Sequence, residues 1–234
     1  IGEYKLQPTG ERGLILRTKD LKESERVSIV SLLSTFDSGQ LIEKKFNTVG
    51  PVIGEELKQK AYIAIVIVVL AIILFIAFAF RHVSKPVSSW KYGFVAIIAL
   101  IHDIVIPTVV FALLGFFSGV EVDILFVTAL LAILGFSVND TIVVFDRVRE
   151  NLRLNQENSN RENFEDTVGK SLNQTFARSI NTSFTTLVVL LALFFLGGEP
   201  TKYFTLTLMI GVIAGTYSSI FLASPLLVAL NKEK

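Results

Sequence analysis

The chain has 234 residues, of which 51% are hydrophobic and only 18% charged, with 19 Phe and a formal net charge of +1; its mean hydropathy is +0.59. Soluble globular chains carry about 25% charged residues, and disordered chains combine low hydrophobicity with high net charge, so an ordinary soluble enzyme and a disordered segment are both excluded. A net charge this small offers no basic surface for phosphates, which excludes a nucleic-acid binder.

The charges are unevenly placed. Residues 1–60 hold 10 of the 22 Lys/Arg and 9 of the 21 Asp/Glu, and residues 61–80 hold none. This is the pattern of a polytopic α-helical membrane protein with a polar segment ahead of its spans. The chain has no Cys, which excludes a disulfide framework, a thiol nucleophile and a Cys-based zinc or iron–sulfur site. His82 and His102 are too few for a His-rich metal site, so no metal or cofactor is expected.

Residues 1–60 read as a small soluble α+β unit. Gly13–Thr18 has strand character, and Lys22–Phe36 places Val27, Val30 and Leu33 at helical spacing. Leu41–Asn47 is a second strand candidate, and Pro51–Lys60 is a helix leading into the membrane, with Pro suited to its first turn. A β-α-β piece of this size is incomplete as a domain, and the chain starts at Ile1 without an initiator Met or a signal-peptide pattern. Both features predict sequence upstream of Ile1.

A membrane helix needs about 20 mostly apolar residues. Five stretches qualify: residues 61–80, 92–118, 124–145, 176–196 and 203–230, with a polar loop over 146–175. An odd number of spans puts the termini on opposite sides. Residues 81–91, 146–178 and the tail hold eleven Lys/Arg, against Lys202 alone in the alternate loops. The positive-inside rule therefore places the C-terminus in the cytoplasm and residues 1–60 outside, with only Lys58 and Lys60 weakly opposed. Tyr62, Trp90, Tyr92 and Tyr203 fit interfacial anchors.

Polar residues inside the spans are the candidate sites. Asp103 lies about 16 Å into its span at roughly 1.5 Å per residue, near mid-bilayer. An ionised Asp there costs about 2.5–3.5 kcal/mol, so it is paired, protonated or facing protein and water. A protonated Asp bonding a neighbouring helix and a functional role both remain open. His102 points about 100° away and need not be its partner. Pro107, one turn on, frees a backbone carbonyl near Asp103.

Asp140 follows Asn139 near the cytoplasmic end of the third span, and Arg178 lies just inside the start of the next. Antiparallel neighbours hold the two at similar depth, where a partly dehydrated carboxylate beside a guanidinium can gain and lose a proton. Depth and spacing alone favour the blander arrangement, in which Arg178 snorkels to headgroups and Asp140 merely ends a helix. Asp146, Arg147, Arg149 and Glu150 read as a self-paired helix extension. Gly211 and Gly215, continued by Ser218, Ser219 and Ala223, predict close helix packing. An intramembrane aspartyl hydrolase using Asp103 and Asp140 is set aside because the two lie at different depths, and no phosphate loop or plausible Ser/His/Asp order is present. No enzyme activity is expected.

Long blocks of the sequence resemble a known family. Gly135–Asn151 (GFSVNDTIVVFDRVREN), Ser171–Ser183 (SLNQTFARSINTS), Gly211–Pro225 (GVIAGTYSSIFLASP), Ala99–Asp103 (ALIHD) and Val49–Pro51 (VGP) are similar, in order along residues 49–225, to the signatures of the SecD/SecF family of protein-export membrane proteins. The resemblance implies an RND-like half that normally has six spans, with a ferredoxin-like α+β extracytoplasmic domain between the first two. This chain corresponds to the later part of that domain and the second to sixth spans. It further implies an accessory of the Sec translocase in the bacterial cytoplasmic membrane, paired with SecD and acting with the SecYEG translocon on preproteins. Inward proton flow would drive movement of the extracytoplasmic domain. The family's NDT and N-Q-T-x-x-R charges map onto Asp140 and Arg178, with Asn139 beside them, which turns the balance toward a proton pathway. Asp103 matches the family's His-Asp pair and joins the pathway candidates. The rival expectations are a passive scaffold for SecD and half of another RND-type exporter.

Overall fold

The computed structural model describes residues 4–9, 13–18, 21–36, 43, 51–79, 88–118, 120, 122–158 and 162–231. The chain divides into two compact units, Ile1–Tyr62 and Ile63–Lys234.

In the first unit, strands β1 (Tyr4–Thr9) and β2 (Gly13–Thr18) form an antiparallel hairpin with Tyr4 opposite Thr18 and Thr9 opposite Gly13. β2 is the strand expected from sequence; β1 is additional. Its Pro8 weakens the local strand signal but is tolerated in a two-stranded hairpin, where an edge needs no further backbone donor. Helix α1 (Glu23–Phe36) comes next. The backbone N–H of Lys22 donates to Glu25 at 2.8 Å, which fixes the helix start. Among the described residues of α1, Ile29 is buried and Val30 half-buried, whereas Val27 and Leu33 are exposed, so the face picked out by spacing is only partly the packed one. Glu43 and Glu23 both hydrogen-bond the Arg26 guanidinium, at 3.1 Å and 2.6 Å, and hold its pKa above the ordinary value. The candidate strand Leu41–Asn47 lies outside the described residues, except for Glu43. The described order is thus β-β-α.

Five long helices succeed it: α2 (Pro51–Ala79), α3 (Ser89–Ser118), α4 (Ile124–Glu157), α5 (Phe164–Leu196) and α6 (Glu199–Tyr217). A π-helical turn over Ser218–Ala223 then leads into α7 (Ser224–Asn231). Among the described residues, five helices are long and apolar enough to cross a membrane: Gln59–Ile76, Trp90–Ser118, Ile124–Glu157, Phe164–Leu196 and the continuous rod Thr201–Asn231. The first is the least buried and the rod the most, with α4 second. That order makes α4 and the α6–α7 rod the centre of the bundle, with lipid-facing surface concentrated on α2.

Local chemistry explains the helix limits. Asp123 caps α4 by accepting from the N–H of Phe126 at 2.9 Å. α3 continues through Pro107, and the Thr108 hydroxyl donates to the Ile104 carbonyl at 2.7 Å beside the break in the backbone ladder. The polar stretch expected as a loop over 146–175 is mostly helix: α4 runs to Glu157 and α5 starts at Phe164. Ion pairs one turn apart stabilise the extension, Arg147 with Glu150 at 2.5 Å and Arg153 with Glu157 at 2.8 Å. Asn151 is buried in it and donates to Ser171 and Gln174, each at 2.8 Å, tying α4 to α5.

Two apolar clusters flank the polar middle of the bundle. One joins Ile76, Tyr92, Ala96, Phe145, Val148 and Leu227, and the other joins Phe111, Phe126, Leu130 and Ile133. Gly211 lies so close to Ile133 that a Cβ would clash with it, and a Cβ on Gly215 would sit 3.3 Å from that of Ser137. The two glycines therefore let α6 approach α4 at the level of the buried polar residues.

Candidate functional site

α4 passes through the centre of the bundle and carries Ser137, Asn139, Asp140 and Thr141. Its neighbours bring the rest: α3 supplies Asp103, α5 supplies Arg178 and Ser179, and the π-turn supplies Ser218 and Ser219. Ser137, Asp140, Thr141, Ser179, Ser218 and Ser219 are all buried, and Asp103 is wholly so.

Ser179 donates to Asp140 Oδ1 at 2.7 Å. Asp140 Oδ2 is buried and has no hydrogen-bond partner among the described residues. A buried polar atom left unpaired costs on the order of 1–3 kcal/mol, so Oδ2 is the atom where a further donor gains most. Asp140 also lines a cavity of about 150 Å³, together with Phe136, Asn139, Val143, Arg178 and Thr182. That is room for a few water molecules between polar walls. Asp140 and Arg178 thus share a cavity, as their depth predicts, but among the described residues no ion pair joins them.

The hydroxyl groups of α5 explain why only one of them serves the carboxylate. Thr167, Ser171, Thr175, Ser179 and Ser183 recur every four residues and form its buried stripe. Ser171, Thr175 and Ser183 return their hydroxyls to the carbonyl four residues back, at 2.6–3.0 Å, while Ser179 donates to Asp140 instead. α5 also exposes Arg178, Asn181, Thr182 and Thr185, unusually polar residues for a membrane-crossing helix, of which Arg178 and Thr182 line the cavity beside Asp140.

Asp103 sits in a second polar cluster. Its Oδ2 accepts from Ser218 at 2.8 Å and from Ser137, and its Oδ1 meets His102 Nδ1 at 2.9 Å. The imidazole is thus one partner of Asp103, a contact that helical geometry leaves open. Neighbouring side chains diverge on a helix, but Nδ1 is near the start of the ring and can turn back along the backbone to the carboxylate. Span counting also puts Asp103 and Asp140 at different depths. They nevertheless converge on one element: Ser218 binds Asp103, and the next residue, Ser219, meets Thr141, beside Asp140, at 3.0 Å. Sequence reasoning misses Ser137, Ser179 and the π-turn as site elements. The four-residue recurrence of hydroxyls on α5 is the available signal; the π-turn has none.

Comparison with known proteins identifies the family. The family model for the C-terminal region of the protein export membrane proteins SecD/SecF matches residues 29–233. The protein translocase subunit SecF of Thermobaculum terrenum is 48% identical over 229 residues, covering 97% of this chain and 70% of that protein. The SecF of a Synechocystis species is 39% identical over 230 residues, with 97% and 68% coverage. A crystal structure of SecDF in a super-membrane-facing form superposes with a TM-score of 0.71 at 36% identity, covering 93% of this chain and 27% of that longer one. The protein translocase subunit SecDF of Thermus thermophilus is similarly matched, at 37% identity over 95% of this chain and 28% of that protein. Both the family model and these relatives thus lead to one conclusion: the chain is a member of the SecD/SecF family of protein-export membrane proteins.

Proposed function

We propose that this chain is the SecF half of a SecD–SecF pair, an accessory of the Sec translocase that uses the proton motive force to promote late export and release of preproteins passing through SecYEG. The observation that carries the reading is Asp140, a buried carboxylate with one oxygen unpartnered among the described residues, lining a cavity with Asn139 and Arg178. Asp140 takes up the proton, Arg178 competes for the carboxylate charge when the proton leaves, and Asn139 lines the route. Each charge moved through the full field is worth about 2.3 kcal/mol per 100 mV, which is the energy available for drawing a chain outward.

The exposed polar residues Asn181 and Thr185 of α5 support SecD as the neighbour in the membrane, because polar groups facing lipid are costly and are normally covered by protein. The names of the SecDF relatives support the same partner. In this reading the fold is an RND-like half in the bacterial cytoplasmic membrane with its C-terminus cytoplasmic, as the eleven-to-one Lys/Arg asymmetry favours. Residues 1–60 belong to a ferredoxin-like extracytoplasmic domain, a reading supported by the β1–β2–α1 order. The test is proton conduction by full-length protein and SecD in sealed vesicles. Asp140→Asn is expected to reduce conduction to that of protein-free vesicles, and full conduction by this variant overturns the assignment.

A further inference from the structure

We propose that His102 is a second proton-transfer residue of this chain, held in its working orientation by Asp103. Asp103 is completely buried, and among the described residues no Lys or Arg pairs with it. It is instead fixed from three directions, by Ser137 of α4, by Ser218 of the π-turn and by His102 on its own helix. The His102 ring is 29% exposed, stacks on Tyr217 with centroids 6.1 Å apart and an interplanar angle of 28°, and makes no second hydrogen bond through Nε2 among the described residues.

This is the arrangement of a base with its orienting carboxylate. The Asp103 carboxylate accepts from Nδ1–H and so selects the tautomer that leaves the Nε2 lone pair free to take a proton. When Nε2 is protonated, the imidazolium charge is balanced by the adjacent carboxylate, which an apolar membrane interior otherwise makes expensive to form. Passing the Nδ1 proton to Asp103 Oδ1 then leaves a neutral imidazole and a neutral carboxylic acid, with no proton gained or lost. The other titratable groups facing the dyad are Tyr217, stacked on the ring, and Asp140, one turn beyond Ser137 on α4. The serines of the π-turn put this dyad and the Asp140 region under one structural element, which makes the two proton positions mutually dependent.

The inference rests on the proton-coupling reading for its physiological use, and the test separates the two. Full-length protein and its partner subunit, in sealed vesicles, are assayed for proton conduction as His102→Ala and as His102→Gln, with Asp140→Asn in parallel. His102→Ala is expected to lose conduction and to regain it on addition of imidazole, with methylated imidazoles acting in order of their basicity; a residue with only a packing role does not follow that order. Ser218→Ala, which keeps the histidine but loosens its carboxylate, is expected to slow conduction several-fold. Wild-type conduction in both His102 variants overturns the proposal, as does a His102→Ala defect that imidazole leaves untouched in vesicles whose subunit pair is intact. If the His102 variants behave as expected while Asp140→Asn conducts normally, the dyad stands and the Asp140 assignment falls. The reverse pattern overturns only the dyad.

Discussion

Ser218, the first residue of the π-turn, donates its hydroxyl to the fully buried carboxylate of Asp103 at 2.8 Å. Ser218 and Ser219 are adjacent and so point in different directions on the helix, one to α3 and the other to α4. Removing the Ser218 hydroxyl takes away one of the two donors to Asp103 Oδ2, a bond to a carboxylate worth about 1.5–3 kcal/mol. Ser219→Ala removes a bond between two neutral hydroxyls, worth about 0.5–1.5 kcal/mol. Thermal unfolding of the purified full-length protein in detergent should therefore rank Ser218→Ala below Ser219→Ala. Equal midpoints would contradict the bonding described.

Glycine positions give a second contrast. A side chain at Gly211 runs into Ile133, which is 1% exposed and belongs to an apolar cluster, whereas nothing lies within 4 Å of a Cβ at Gly135. Gly211→Ala is expected to cost about 1–3 kcal/mol through overpacking. Gly135→Ala, on the same bundle and inside α4, should be neutral or stabilise by about 0.5–1 kcal/mol through helix propensity. The two variants are compared by the same unfolding midpoint, and a larger loss for Gly135→Ala would contradict the helix contact.

The helical extension beyond the α4 span depends on Asn151 more than on its surface charges. Asn151 is buried and bonds both Ser171 and Gln174, whereas the Arg153–Glu157 pair is exposed. Asn151→Ala should cost about 1–3 kcal/mol, since it removes two hydrogen bonds between α4 and α5, each worth about 0.5–1.5 kcal/mol. Arg153→Ala should cost well under about 1 kcal/mol. Limited proteolysis near Asn158 reads the difference: faster cleavage is expected for Asn151→Ala only.

The absence of Cys makes orientation directly measurable. Single cysteines at the exposed positions Ser24 and Glu157 can be labelled in intact cells with a membrane-impermeant maleimide. The Lys/Arg asymmetry predicts labelling at position 24 without permeabilisation, and at position 157 only after it. The opposite pattern would invert the topology.

The long helices are legible in the sequence because hydropathy and charge exclusion act over windows of about 20 residues, and one misplaced polar group does not alter them. The similar depth of Asp140 and Arg178 is legible because adjacent antiparallel helices make depth a coordinate, although depth and spacing alone favour the arrangement in which Arg178 snorkels to headgroups. The arrangement around Asp103 is not, because it depends on rotation and register. His102 reaches its neighbour by a side-chain turn that average helical geometry leaves open, and the π-turn at Ser218–Ala223 is set by packing of α6 and α7 against α3 and α4. β1 escapes a reading by pattern because a single edge strand containing Pro carries little alternation. The helical continuation of α4 is legible as far as Glu150, where the charges pair one turn apart; the polar stretch beyond it looks like loop, although Arg153 and Glu157 pair in the same way.

The central claim is that proton movement through Asp140 is coupled to export. Its most direct test is precursor release from vesicles holding the full-length protein, SecD and SecYEG, measured after ATP is withdrawn, with and without a proton gradient, for wild type and Asp140→Asn. The gradient is expected to accelerate release in the wild type and to have no effect in the variant. Equal acceleration in both would contradict the claim and leave this chain as a scaffold for a proton route located elsewhere.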